Sequence, residues 1–162
     1  MAQDSSKSDF WESRYRDHTT PWDAGKVPHA LRKYAKRIKS GCRILIPGCG
    51  SAYEAGYLAE NGFGVLAIDF SPAAVELAKK NLSRFGDIVR LADFFEFDYG
   101  KPYDVIYERA FLCALPPRMW SQYAPRTAQL LRPGGELVED KAVTDSIPVF
   151  QDAEHWQIWR KR

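Results

Sequence analysis

Two glycines and an acid carry the first chemical signal in this chain. Gly48 and Gly50 flank Cys49 directly after the apolar run Ile44-Leu45-Ile46, and Asp69 closes a second apolar run nineteen positions beyond Gly50. Residues without Cβ let backbone N–H groups approach a ligand closely. A helix starting just past the turn adds the positive end of its dipole. A carboxylate at that spacing, on the next strand, is placed to accept hydrogen bonds from ribose hydroxyls. The pattern defines a nucleoside-binding crevice.

Which nucleoside follows from a missing residue. A dinucleotide fingerprint needs a third glycine at position 53, where this chain has Tyr53. That glycine permits close helix–strand packing around a pyrophosphate, so its absence counts against nicotinamide and flavin cofactors. S-adenosylmethionine carries no phosphate and tolerates the change. Trp11 and Tyr15, spaced i, i+4, and Trp22 form an aromatic group ahead of the crevice. They either staple the N-terminus down or cover a bound ligand, with cation–π contact to a sulfonium.

The elements that hold these residues alternate. Ser8 or Asp9 caps a helix through Arg16. Pro28 opens a helix to about Lys39, followed by a strand ending at Ile46 and a helix from Ala52 to Asn61. The strand Leu66 to Asp69 precedes a helix capped by Ser71-Pro72. Ile88 to Ala92 and Tyr103 to Tyr107 are further strands, and Pro117 to Leu131 is a helix bent at Pro125. Leu137 to Val143 and Trp156 to Arg160 complete the strand candidates. This order predicts an α/β fold with a doubly wound, mostly parallel sheet. Ligands in such sheets bind beyond the strands' carboxyl ends, where Gly48, Gly50, Asp69, Asp93, Phe94 and Arg109 all fall.

Composition narrows the classes. The 162 residues suit one domain, and a net charge of +2 without a basic stripe argues against nucleic acid. No apolar stretch approaches the ~18 residues a membrane span needs, and Met1 to Ser8 lacks an apolar signal core. Cys42, Cys49 and Cys113 form no C-x-x-C pair and read as reduced thiols, which places the protein in a cytoplasm. The three histidines are scattered, so no metal site is expected.

The motifs also carry a family likeness. The glycine turn, Asp69 and Leu131-Arg132-Pro133-Gly134-Gly135 resemble class I S-adenosylmethionine-dependent methyltransferases. Phe10-Trp11-Glu12, Thr20-Pro21-Trp22-Asp23, Ile46-Pro47-Gly48-Cys49-Gly50 and Glu108 to Pro116 resemble, in that order, the thiopurine S-methyltransferase family with its thiol and halide methyltransferase relatives. The resemblance implies a Rossmann-like sheet with a C-terminal antiparallel strand pair, and methyl transfer to a small soft nucleophile. It places Trp11, Tyr15 and Trp22 at the methionine and sulfonium end of the cofactor. It sets Gly48 on the cofactor backbone, Asp69 on the ribose, and Asp93 and Phe94 at the adenine edge. Arg109 faces the methionine carboxylate or the substrate and is the one catalytic candidate. A monomer with residues 1–25 as a lid is expected. The alternatives are a cofactor-binding protein without activity and, less favoured, a nicotinamide-dependent oxidoreductase.

One junction departs from the family pattern. Glu136 to Val143 resembles the penultimate strand and His155 to Arg160 the last. A strand and a helix, on the order of 35 residues, are then missing near Gly135–Glu136. The charged run Glu139-Asp140-Lys141 suits an antiparallel edge strand better than a buried central one. The competing reading makes Leu137 to Val143 the fifth strand of a shortened family member.

Overall fold

Three consecutive branched side chains, Ile44, Leu45 and Ile46, are 1%, 0% and 5% exposed and sit at the middle of the sheet. A computed structural model describes residues 4–140 and 156–162. The strand they form, β1 (Arg43–Pro47), pairs in parallel with β2 (Gly64–Asp69) on one side and β4 (Tyr103–Glu108) on the other. Alternation divides its side chains between two cores. Ile44 and Ile46 join Leu31, Leu58 and Val105 on one face, while Leu45 joins Ile68, Ile106 and Leu130 on the other. A strand covered on both faces needs an unbroken apolar run, which is why it was legible.

Among the described residues the sheet runs β3-β2-β1-β4-β5-β6, with β3 (Val89–Leu91) at one edge and β5 (Leu131–Asp140) and β6 (Trp156–Arg160) at the other. Helices α1 (Ser8–Arg16), α2 (His29–Ala35), α3 (Tyr53–Glu60) and α4 (Pro72–Leu82) precede β3. The short α5 (Phe111–Ala114) and then α6 (Trp120–Leu130) follow β4. Ser71 Oγ accepts the Ala74 N–H at 3.3 Å, the expected cap of α4. Pro125 lies inside α6 without ending it.

Several local expectations are corrected. Lys7 occupies the cap position of α1 and no side chain caps it, so neither Ser8 nor Asp9 has that role. The second helix stops at Ala35 instead of Lys39, where the chain tightens into a turn with Arg37 N–H bonded to Tyr34 O at 2.9 Å. After Leu82 the α-helix gives way to a 3₁₀ segment, Ser83–Ile88.

The main correction concerns β5. It is one strand, Leu131–Asp140, running through Gly135 and Glu136 without interruption, and it lies parallel to β4. Val105 faces Glu136, Ile106 faces Leu137, and Tyr107 faces Val138. This segment is therefore the fifth strand, beside β4, and not an antiparallel penultimate one. The family-typed Arg-Pro-Gly-Gly stretch forms an irregularity within β5, between the Tyr103–Leu131 and Val105–Glu136 pairs. Lys141 to Val143 of the predicted strand, like His155, lie outside the described residues. The antiparallel pair is made by β5 with β6 (Trp156–Arg160), Val138 opposite Ile158.

The acids misled because each is individually partnered. Glu139 and Asp140 are only 6% and 0% exposed. Trp159 Nε1 donates to Glu139 at 2.9 Å and the Tyr107 hydroxyl to Asp140 at 2.8 Å. Glu136 accepts from the Tyr34 hydroxyl at 2.7 Å and from Arg160 at 2.6 Å. Buried carboxylates persist where donors meet them, so their presence does not mark an edge.

Candidate active site

The glycine turn leaves β1 with Gly48 at φ +58° and Gly50 at φ +51°, conformations that disfavour a Cβ. Each glycine is also in close contact. A Cβ at Gly48 would lie 2.5 Å from the Phe111 ring, and one at Gly50 would lie 2.7 Å from the Tyr15 hydroxyl. The Cys49 N–H bonds to Ile68 O at 3.0 Å, which pins the turn to the end of β2. Asp69 completes the brace. Its Oδ2 accepts the Gly50 N–H at 3.1 Å and its Oδ1 the Ser71 N–H at 3.0 Å. Burial raises the Asp69 pKa, and these amide donors oppose the shift. A carboxylate oxygen has two lone pairs, so both oxygens keep capacity for a ligand hydroxyl.

Above the strand ends lies a cavity of about 250 Å³. Trp11, Tyr15, Trp22, Gly48, Asp69, Asp93, Phe94 and Arg109 all line it. Gly50 lines an adjoining cavity of about 60 Å³, which shares Tyr15, Trp22, Gly48 and Arg109 with the first. Every residue singled out from the sequence thus borders one of two neighbouring spaces. Asp93 turns the chain there, its Oδ1 accepting the Phe95 N–H at 2.8 Å. Phe94 is 4% exposed and belongs to an aromatic cluster, 5.2 Å from Phe111 and 5.8 Å from Tyr123 between ring centroids.

The N-terminal segment roofs the larger cavity. Trp22 meets Trp11 and Tyr15 edge-on at 5.3 and 6.1 Å. Trp11 Nε1 donates to Ser5 O at 2.8 Å, and Arg118 Nη2 clasps Asp4 Oδ1 at 2.8 Å and Ser6 Oγ at 2.7 Å. The Arg118 guanidinium holds the Asp4 carboxyl well below the usual range. Ser51 Oγ donates to Asp23, tying the roof to the glycine turn. Met1 to Gln3 of the expected 1–25 segment lie outside the described residues.

Glu12 docks this roof on the body. Its Oε2 accepts the Ser71 hydroxyl at 2.8 Å and the Ala73 N–H at 2.7 Å, at the start of α4, where the helix dipole favours an anion. The Ala73 amide is the main cause of its lowered pKa. A lowered folded-state pKa means the docking is fully present above the ordinary value of 4.5 and is lost as pH falls through the folded value. Glu12→Ala is expected to cost roughly 1.5 kcal/mol, the low end for a charged hydrogen bond because the group is partly exposed. Faster tryptic cleavage at Lys7, Arg14 and Arg16 would report the loosened roof; unchanged cleavage would show that Glu12 does not hold it.

Some site residues escaped the sequence reading. Phe111 covers Gly48 because the Glu108 carboxylate, 0% exposed, accepts the Phe111 and Leu112 N–H groups at 2.8 and 3.3 Å and starts α5 there. Glu54 and Tyr107 line the smaller cavity. Burial pushes the Glu54 carboxyl up to about 7, against the opposing pull of Arg109. The signal for Glu54 was its place in the first turn after the glycines, on the ligand side of the helix start.

A doubly wound sheet with a braced glycine turn and an acid at the second strand end is the architecture of class I methyltransferases. One solved structure with this fold is magnesium protoporphyrin IX methyltransferase from Synechocystis PCC 6803 with bound SAM, at a TM-score of 0.67 and 17% identity, covering 89% of this chain and 78% of that one. Residues 6–158 match thiopurine S-methyltransferase, and the chain belongs to that family. It is 32% identical over 146 residues to a probable thiol methyltransferase 2 of Arabidopsis thaliana, covering 85% of this chain and 62% of the relative. It is 29% identical over 134 residues to thiocyanate methyltransferase 1 of Brassica oleracea, covering 79% and 59%. The chain thus spans about 60% of the length of these curated relatives.

Proposed function

We propose that this chain binds S-adenosylmethionine across the two adjoining cavities and transfers its methyl group to a small soft nucleophile such as a thiol. The observation that carries the reading is the convergence of Trp11, Trp22, Gly48, Asp69, Asp93 and Arg109, from separate segments, on one space at the strand ends. Membership of a family whose relatives are named for thiol and thiocyanate methylation supports it.

The residues fit that cofactor. Asp69 has acceptor capacity for ribose hydroxyls, Arg109 has a guanidinium for the methionine carboxylate, and Trp11, Tyr15 and Trp22 offer aromatic surface to a sulfonium. Gly48 and Gly50 keep the turn free of Cβ atoms. Bound S-adenosylmethionine supplies a methyl group on a cationic sulfur, whose departure as a neutral thioether needs no metal or acid. Ala110, Phe111, Ala114, Leu115 and Met119 give the larger cavity an apolar wall. Such a wall holds an apolar thiol and excludes water, so the protein's contribution is alignment and proximity. Residues 4–25 act as the lid.

Incubation with S-adenosylmethionine and a panel of aromatic and aliphatic thiols should yield S-adenosylhomocysteine in proportion to methylated thiol. Binding without turnover would contradict this reading and leave a cofactor-binding protein lacking activity.

A further inference from the structure

Ala92, Asp93, Phe94 and Phe95, which follow β3, line one side of the larger cavity. The chain makes a single turn of helical bonding there. The Asp93 carbonyl accepts the Glu96 N–H at 3.2 Å and the Phe97 N–H at 3.0 Å, and Asp93 Oδ1 accepts the Phe95 N–H. An isolated turn fixes several dihedral angles for few hydrogen bonds and is not stable by itself. Asp93 closes its start. At its end, among the described residues, no backbone N–H reaches the Phe94 or Phe97 carbonyl.

Arg126, on α6, supplies both missing donors. Its Nε donates to Phe94 O at 2.9 Å and its Nη2 to Phe97 O at 2.7 Å, while Nη1 donates to Gln129 Oε1 at 2.8 Å. The guanidinium also lies 5.3 and 5.5 Å from the centroids of the Phe97 and Tyr99 rings. A planar fork can meet two carbonyls at once, and a cation suits the carbonyl end of a helical turn. Phe94 is held twice from α6. Its ring lies 5.8 Å from that of Tyr123, and Arg126, three positions further along the same helix face, bonds its carbonyl.

We propose that Arg126 is a positioning residue that sets the turn 93–97 for recognition of the cofactor's base. Asp93 keeps acceptor capacity beyond its bond to the Phe95 amide, enough for the exocyclic amine of adenine. A base with an oxygen in place of that amine offers the carboxylate no donor there. Arg126 itself touches neither the base nor the methyl group; it acts through the turn. The assignment rests on the S-adenosylmethionine reading above.

Two ligands separate this role from a merely structural one. S-adenosylhomocysteine carries the exocyclic amine, and S-inosylhomocysteine differs from it by an oxygen at that position. In calorimetric titrations the unsubstituted protein should prefer S-adenosylhomocysteine. Arg126→Met keeps the apolar stem and removes the fork. It is expected to weaken S-adenosylhomocysteine by about tenfold, the scale of one charged hydrogen bond, and to change S-inosylhomocysteine little, so that the preference collapses. Should Arg126→Met fail to fold, Arg126→Lys carries the same test, with a smaller loss of preference because one ammonium replaces the fork. Equal weakening of both ligands would make Arg126 structural and overturn the proposal. An unchanged preference, or no preference in the unsubstituted protein, would overturn it too. Failure of the unsubstituted protein to bind S-adenosylhomocysteine at all would instead overturn the cofactor reading, and this assignment with it.

Discussion

Asp69→Ala is expected to weaken S-adenosylhomocysteine binding by at least a hundredfold and to lower the thermal midpoint as well. The side chain has two tasks. It accepts the Gly50 and Ser71 N–H groups, and so fixes both the glycine turn and the start of α4. It also presents the only carboxylate of β2 to the larger cavity. Each charged hydrogen bond is worth roughly 1.5–3 kcal/mol, and alanine leaves the buried amides without their acceptor. Calorimetry and a melting curve measured together decide the outcome. An unchanged dissociation constant would remove Asp69 from the binding site; a lower midpoint with unchanged affinity would leave it only the bracing role.

Gly48→Ala is the second large effect. A left-handed φ costs a residue with a Cβ about 1–2 kcal/mol, and here the new atom would lie 2.5 Å from the Phe111 ring. Phe111 must move, and it belongs to the wall of the larger cavity. The expected result is a loss of ligand affinity on the order of tenfold or more with the fold retained, since the turn sits at the surface of the sheet's carboxyl end. Adding Phe111→Ala to Gly48→Ala removes the clash but not the backbone strain. The double variant should therefore bind S-adenosylhomocysteine better than Gly48→Ala alone, though more weakly than the unsubstituted protein, whose cavity wall includes Phe111. Identical affinity in the two would show that the ring does not transmit the change.

What the sequence disclosed depended on how local the physics was. Ile44 to Ile46 announced a strand buried on both faces, and Ser71-Pro72 announced a helix start, because each signal lies within a few residues. Gly48, Gly50 and Asp69 were legible through spacing alone. The path from Glu136 to Asp140 was misread because its acids are satisfied by Tyr34, Tyr107, Trp159 and Arg160, all distant in sequence. Glu12 docking on α4 and Arg118 clasping Asp4 were equally hidden, since both join segments about 60 or more positions apart. Phe111 was quoted within a motif, but its contact with Gly48 depends on how Glu108 turns the chain.

The central claim is that the crevice built on Gly48, Gly50 and Asp69 takes a nucleoside without phosphates. Calorimetric titration with S-adenosylhomocysteine, run beside NADH, tests it most directly. One molecule of S-adenosylhomocysteine bound per chain, competed by S-adenosylmethionine and with no heat from NADH, is the predicted result. Saturable binding of NADH, or none of S-adenosylhomocysteine, would contradict it.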